Sequence, residues 1–143
     1  MMGLPDDIAD KLDELSQKGN DLLDGGNALE AIKVWQEALE LLPEPKESWE
    51  AAEWLYASIG DAYYESADYK LGQEAFQNAL NCSESSPSAF VLYRLGQVFV
   101  EQGDADQGAE FLLRSYMLDG DSIFVEDGGE KYLRLLQERG LVS

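Results

Sequence analysis

Apolar residues return at three- and four-residue intervals along almost all of this 143-residue chain, broken only by glycine, proline and short polar turns. That period marks amphipathic helices. Pro5 followed by Asp6 and Asp7 reads as a helix start, with Ile8, Leu12, Leu15 and Leu22 in register until Gly25–Gly26. Asn27, with Glu30 three residues on, predicts a capping box for a second helix. Ala31, Val34, Trp35, Ala38 and Leu42 form its apolar side, and Pro43 and Pro45 stop it. A third helix is expected from Pro45 or Lys46 to about Glu65, with Ala52, Tyr56, Ile59, Gly60 and Tyr63 as its packing stripe. Asp68 should cap a fourth, ending around Asn81.

Ser86–Pro87 reads as the start of a fifth helix, with Leu92, Leu95, Gly96 and Phe99 inward. Gly103–Asp104 makes the next turn, Asp104 and Gln107 suggest a second capping box, and the sixth helix ends near Leu118. After DGDSIFVEDGGE, Lys131 to Arg139 reads as a last amphipathic helix carrying Tyr132, Leu133, Leu135 and Leu136. The pattern predicts seven helices and no strand.

Within this pattern one spacing occurs three times. A glycine is followed twelve residues later by a small residue, four further on by a bulky apolar one, and three after that by another small one. The copies are Gly19, Ala31, Trp35, Ala38; Gly60, Gly72, Phe76, Ala79; and Gly96, Gly108, Leu112, Ser115. Small residues let two helix backbones approach closely, and the large residue a turn later fills the space beyond. Each opening glycine is followed three residues later by an apolar side chain (Leu22, Tyr63, Phe99), and Pro43 stands five residues after Ala38.

In these features the chain resembles the tetratricopeptide repeat family, whose unit is a helix-turn-helix of about 34 residues. The longer interval between the first two copies implies an extended start to the helix carrying Trp54, and Ser115 and Gly120 stand where alanine and proline are usual. The resemblance implies an all-α fold, a single domain over 1–143 with three repeats (approximately 6–45, 46–86 and 87–120) and a C-terminal cap at 121–143. Together these would form a short right-handed α-solenoid.

Composition narrows the function. The 29 Asp and Glu against 10 Lys and Arg give a formal net charge of −19, which repels nucleic acid and anionic membranes and attracts basic partners. There is no histidine, so most nucleophilic and general-base arrangements are excluded, and Cys82, the only cysteine, has no such activator. One cysteine permits no intrachain disulfide, and MMGLPDDIADK lacks the apolar segment of a signal peptide. A cytoplasmic protein, monomeric when free, is expected, with no cofactor, no metal and no enzymatic activity. The acids of DGDSIFVEDGGE (Asp119, Asp121, Asp127, Glu130) do not make a calcium loop. Ile123 stands where a ligand is needed and Phe124 where the sharp turn requires glycine. Asp61 and Glu65, one turn apart, are read as a solvated pair or a site for a partner's cation, not as a magnesium site.

The resemblance also implies that the first helix of each repeat lines a concave surface. In the first repeat the residues so placed are Asp13, Ser16, Asn20, Leu23 and Asp24; in the second, Trp54, Ala57, Asp61, Tyr64 and Glu65. The third contributes Phe90, Tyr93, Gln97, Val100 and Glu101. Aromatic anchors beside unneutralised acids suggest a protein interface. Trp35 is read as core, and Trp49 as either core or surface. A groove gripping the carboxylate terminus of heat-shock chaperones needs several cations; only Asn20 fits, and Arg94 is the nearest cation. A narrower resemblance, carried by SYMLDGDSIFVEDGGEKYLRLL and overall size, is to small bacterial repeat proteins that serve as immunity proteins to polymorphic toxins. It implies an acidic inhibitor that neutralises a basic bacterial toxin or effector. The alternative is an adaptor or scaffold that binds a peptide or helix within a larger complex.

Overall fold

The computed structural model describes residues 3–82 and 88–143, and every regular element among them is helical. The chain divides into two compact units, Met1–Cys82 and Ser83–Ser143. The first holds α1 (Asp6–Asp24), α2 (Ala28–Glu40), a 3-10 turn (Lys46–Ser48), α3 (Glu50–Glu65) and α4 (Tyr69–Cys82). The second holds α5 (Ala89–Glu101), α6 (Ala105–Asp119), α7 (Ser122–Glu126) and α8 (Glu130–Glu138).

Successive helices pair as hairpins, α1 with α2, α3 with α4 and α5 with α6, and in each the opening glycine faces the bulky residue of the second helix. A Cβ on Gly19 would lie inside the Trp35 indole, one on Gly60 would sit 2.7 Å from the Phe76 ring, and one on Gly96 would sit 2.5 Å from Leu112 Cγ. The three turns are also alike. A left-handed residue (Gly26, Ala67 or Gly103) follows the first helix. The next backbone N–H then donates back to the carbonyl five residues earlier: Asn27 to Leu22 at 2.8 Å, Asp68 to Tyr63 and Asp104 to Phe99, both at 2.9 Å. This closure satisfies carbonyls that the helix end would otherwise orphan. Ala67, at φ 60°, occupies a conformation that glycine takes in the other two turns.

The caps differ in part from expectation. Asp104 accepts from the Gln107 N–H at 3.1 Å, as its spacing predicts. Asn27 makes no side-chain cap; its backbone carbonyl accepts from Ala31, and Glu30 faces Lys33 instead of closing a box. The Ser86–Pro87 helix start lies outside the described residues; α5 begins at Ala89, and Ser88 Oγ accepts from the Val91 N–H. α3 begins later than expected because Trp49 is extended (φ −97°, ψ 133°), folding its indole back so that Nε1–H donates to the Pro43 carbonyl at 2.8 Å. Eight α-helices lie among the described residues, one more than expected. The additional one, α7, forms inside DGDSIFVEDGGE around the fully buried Phe124.

The core of the first unit runs from Leu12 and Leu15 through Ala31, Trp35 and Ala38 to Ala52, Leu55, Ile59 and Ala62. Trp35 is 1% exposed and its indole N–H donates to the Ser16 carbonyl at 3.4 Å, so the side chain is core. In the second unit Tyr93, Ala109, Leu112, Phe124, Tyr132 and Leu136 form the core, and Phe99 stacks on Phe111 at 5.5 Å. Ser115, where the repeat usually has alanine, donates its hydroxyl to the Ala89 carbonyl at 2.8 Å and ties α6 to the first turn of α5.

Candidate functional site

The candidate residues fall at matching registers on α1, α3 and α5: Asp13, Asn20 and Asp24; Trp54, Asp61 and Glu65; Phe90, Gln97 and Glu101. Separations of seven and eleven residues place each set along one helix face. What covers that face differs between the two units.

In the first unit it is open in part. Asp13 and Asp24 are exposed and Asn20 is half-buried on α1, with Ser16 and Leu23 half-buried beside it. On α3, Trp54 is 44% exposed, Glu65 is exposed, and Asp61, Ala57 and Tyr64 are half-buried. Tyr64 packs edge-on against Tyr69 of α4 with centroids 5.7 Å apart, which fixes its ring without hiding it. Trp54 therefore sits on a face carrying Asp61 and Glu65, with Glu50 one turn before it. A large aromatic left half in water among carboxylates can stack on a cation or insert into a partner's apolar patch. Trp49, by contrast, is half-buried and packs on the core.

In the second unit the expectation fails for two residues. Tyr93 is fully buried and Gln97 is 2% exposed, so neither meets an external partner while the C-terminal segment lies over them. The cause is the C-terminal segment. Phe124 and Tyr132 meet the Tyr93 ring edge-on, at 5.0 and 6.5 Å between centroids, and the Tyr93 hydroxyl donates to Asp127 Oδ2 at 3.0 Å. Arg94 donates to both Asp127 oxygens, at 2.9 and 3.4 Å, and to Gln97 Oε1 at 2.7 Å. Its guanidinium also lies 5.0 Å from the centroid of the half-buried Phe90 ring. Glu101 accepts from the Tyr132 hydroxyl at 2.8 Å and pairs with Lys131 at 2.9 Å. Desolvation raises the Glu101 pKa, but the hydrogen bonds from Lys131 and Tyr132 and the Lys131 charge outweigh it, so the carboxyl lies below its usual range.

Sequence reasoning missed Arg94, Asp127, Lys131 and Tyr132 as a connected set. The available signal was Phe124 and Tyr132: two large aromatics in an otherwise acidic tail must bury somewhere. Val100, half-buried, lines a shallow depression of roughly 360 Å³ with Ala105, Leu135 and Arg134. No group of His, Cys, Asp and Glu able to hold a metal occurs among the described residues. Asp127, one of the acids weighed against a calcium loop, is committed to Tyr93 and Arg94. The Cys82 thiol is pushed up to about 11, first by burial and then by the charges of Glu53 and Glu47, which is the opposite of an activated nucleophile. No helix among the described residues is long and apolar enough to cross a membrane.

Paired helices with a small residue facing a large one, closed three times by the same left-handed turn, make the tetratricopeptide repeat fold. The likeness to solved structures bears this out. The chain is similar to the N-terminal domain of stress-induced protein-1 from C. elegans (TM-score 0.72, 18% identity, covering 92% of this chain and 98% of that one). It is similar also to the C-terminal repeat-containing domain of a Plasmodium falciparum FK506-binding protein (TM-score 0.73, 17% identity, 92% of each chain). A third likeness is to the TPR2AB domain of yeast Sti1 in its pHSP90 complex (TM-score 0.68, 18% identity, 94% of this chain and 52% of that one). No protein-family model and no curated protein sequence matches the chain.

Proposed function

We propose that this protein is a non-catalytic interaction module, an adaptor that holds a basic segment of a protein partner on the α1 and α3 faces of its first unit. One observation carries the reading: Trp54 is 44% exposed on a helix face that also bears Asp61 and Glu65. In this reading Trp54 and Tyr64 anchor the partner, while Asp13, Asp24, Asp61 and Glu65 meet its lysines and arginines and Asn20 hydrogen-bonds its backbone. The net charge of −19 would speed the encounter with such a partner. Yeast Sti1, similar in fold, is a repeat protein whose TPR2AB domain is seen in a pHSP90 complex. An acidic tail is nonetheless a poor ligand here, because the corresponding faces of α1 and α3 carry carboxylates where a grip on a carboxylate requires cations.

The adaptor reading is preferred to a toxin-neutralising one on physical grounds. The resemblance to immunity proteins rests on the C-terminal segment, and that segment spends Phe124, Asp127, Lys131 and Tyr132 on the packing of its own unit. The test is affinity capture from native host lysate at low salt, followed by calorimetry of the captured partner against the wild type and Trp54→Ala. Loss of a central aromatic anchor should weaken binding about thirtyfold, with an unchanged circular dichroism spectrum and with association slowed by salt. Equal affinity in the two forms would remove the α3 face from the account. A single captured basic toxin would instead restore the inhibitor reading.

A further inference from the structure

The face of α5 that carries Tyr93, Arg94, Gln97 and Glu101 holds the register that on α1 and α3 looks outward, yet the chain's own α7–α8 segment lies on it. Its attachments have a distinctive chemistry. Phe124 and Tyr93 pack edge to face, Asp127 three residues later places one carboxylate on both Tyr93 and Arg94, and Lys131–Tyr132 brings a cation and a hydroxyl to Glu101. That is how a bound peptide is held: ring in contact, carboxylate on a fork of donors, cation on an acid. The polar links lie at the rim, with the Asp127 side chain 38% and the Lys131 side chain 60% exposed, while Phe124, Tyr132 and Leu136 are buried beneath. α8 also meets α6 far more sparsely than α5 and α6 meet each other. Polar fastenings that water can reach make this segment, rather than the α5–α6 hairpin beneath it, the place where local opening would start.

We propose that the α5 face is a second binding surface, occupied by α7–α8 as an internal ligand. Its external ligand is a segment of a partner protein with an aromatic residue followed three positions later by a carboxylate. Such a segment reproduces the Phe124 and Asp127 contacts and binds only the fraction of molecules in which α7–α8 has left, so the closed segment lowers the apparent affinity by that fraction. This surface lies in the second unit and does not depend on the reading of Trp54.

The test uses the full chain. Hydrogen exchange should show the amides of 122–138 exchanging at least tenfold faster than those of α5 and α6 in the wild type. They should exchange about tenfold faster again in Asp127→Ala, with α5 and α6 still slow. A fluorescein-labelled peptide of residues 121–139, added in trans, should bind the Asp127→Ala chain about tenfold more tightly than the wild type. The same peptide with Asn at its 127 position should lose about tenfold on either chain. Lys131→Gln, which loosens only the rim, gives the same ordering more mildly and serves if Asp127→Ala does not fold. Uniform exchange across α5 to α8 in the wild type and Lys131→Gln would overturn the proposal, since the segment would then leave only when the unit unfolds. Equal peptide binding by wild type and variant, or by neither, would overturn it as well.

Discussion

Replacing Gly96 by alanine should destabilise the second unit although alanine is the better helix former. A Cβ at Gly96 would lie 2.5 Å from Leu112 Cγ, 2.7 Å from its Cδ2 and 3.0 Å from the Gly108 carbonyl oxygen. Only a change of χ1 would carry the Leu112 Cγ away, and Leu112 is fully buried with no room to make it; the Gly108 carbonyl is backbone, so relief requires α5 and α6 to separate. Overpacking of this kind costs about 1–3 kcal/mol, and the obstruction by both a branch point and a backbone oxygen argues for the upper end. Alanine recovers about 1 kcal/mol of helix propensity, leaving a net loss of about 2 kcal/mol. For a unit of this size that lowers its melting temperature by roughly 8–16 °C. The measurement is thermal unfolding followed by far-ultraviolet circular dichroism, with indole emission as the control for the first unit. A double-mutant cycle with Leu112→Ala sharpens it. Removing the leucine should cost about 2–5 kcal/mol alone, while the pair should fall short of the summed costs by at least about 1 kcal/mol. Gly96→Ala at wild-type stability, or an additive cycle, would refute the close approach on which each hairpin depends.

Ala67→Gly should stabilise the first unit by about 0.5–1 kcal/mol: it relieves a left-handed alanine at φ 60° and gives back part of the gain as chain entropy. Urea denaturation would detect it, and a destabilised variant would mean that the turn tolerates alanine without strain. The folded pKa of Glu101 lies below its unfolded value near 4.5, so its contribution is complete above that value and lost as pH falls through the folded pKa. Glu101→Gln should therefore flatten the acid limb of the stability profile, and an unchanged limb would count against the Lys131 and Tyr132 contacts. With its pKa near 11 against the usual 9.0, Cys82 should react with iodoacetamide at pH 8 about a hundredfold more slowly than a free thiol. Alkylation at the free-thiol rate would show the burial to be wrong.

The hairpins were legible in the sequence because one geometric need, close backbone approach beside a large filler, forces residue sizes at fixed intervals. Trp35 could be assigned to the core for that reason, whereas the surface position of Trp54 came from the family resemblance. Ile32, Leu39 and Leu55, all buried, fall outside the stripes read from the sequence. α2 packs on α3 as well as α1, so it buries a second face that a single-stripe reading leaves out. Tyr93 and Gln97 were misplaced for a related reason. Repeat register says which way a residue points, but what lies above it is decided by a segment some thirty residues later whose landing place has no local signature. Asp127 illustrates this: among acids it looks like one more solvent charge, and only the folded chain brings it to Arg94.

All three tryptophans, Trp35, Trp49 and Trp54, lie in Met1–Cys82, and Ser83–Ser143 has tyrosine and phenylalanine only. Indole emission therefore reports on the first unit alone, whereas far-ultraviolet circular dichroism, with helices in both units, reports on the whole chain. The wild-type chain thus carries, with no label added, one optical signal for its first half and another for the two halves together. Two transitions that coincide under heat or urea would mark the halves as one cooperative body, and two that part would give each half its own stability.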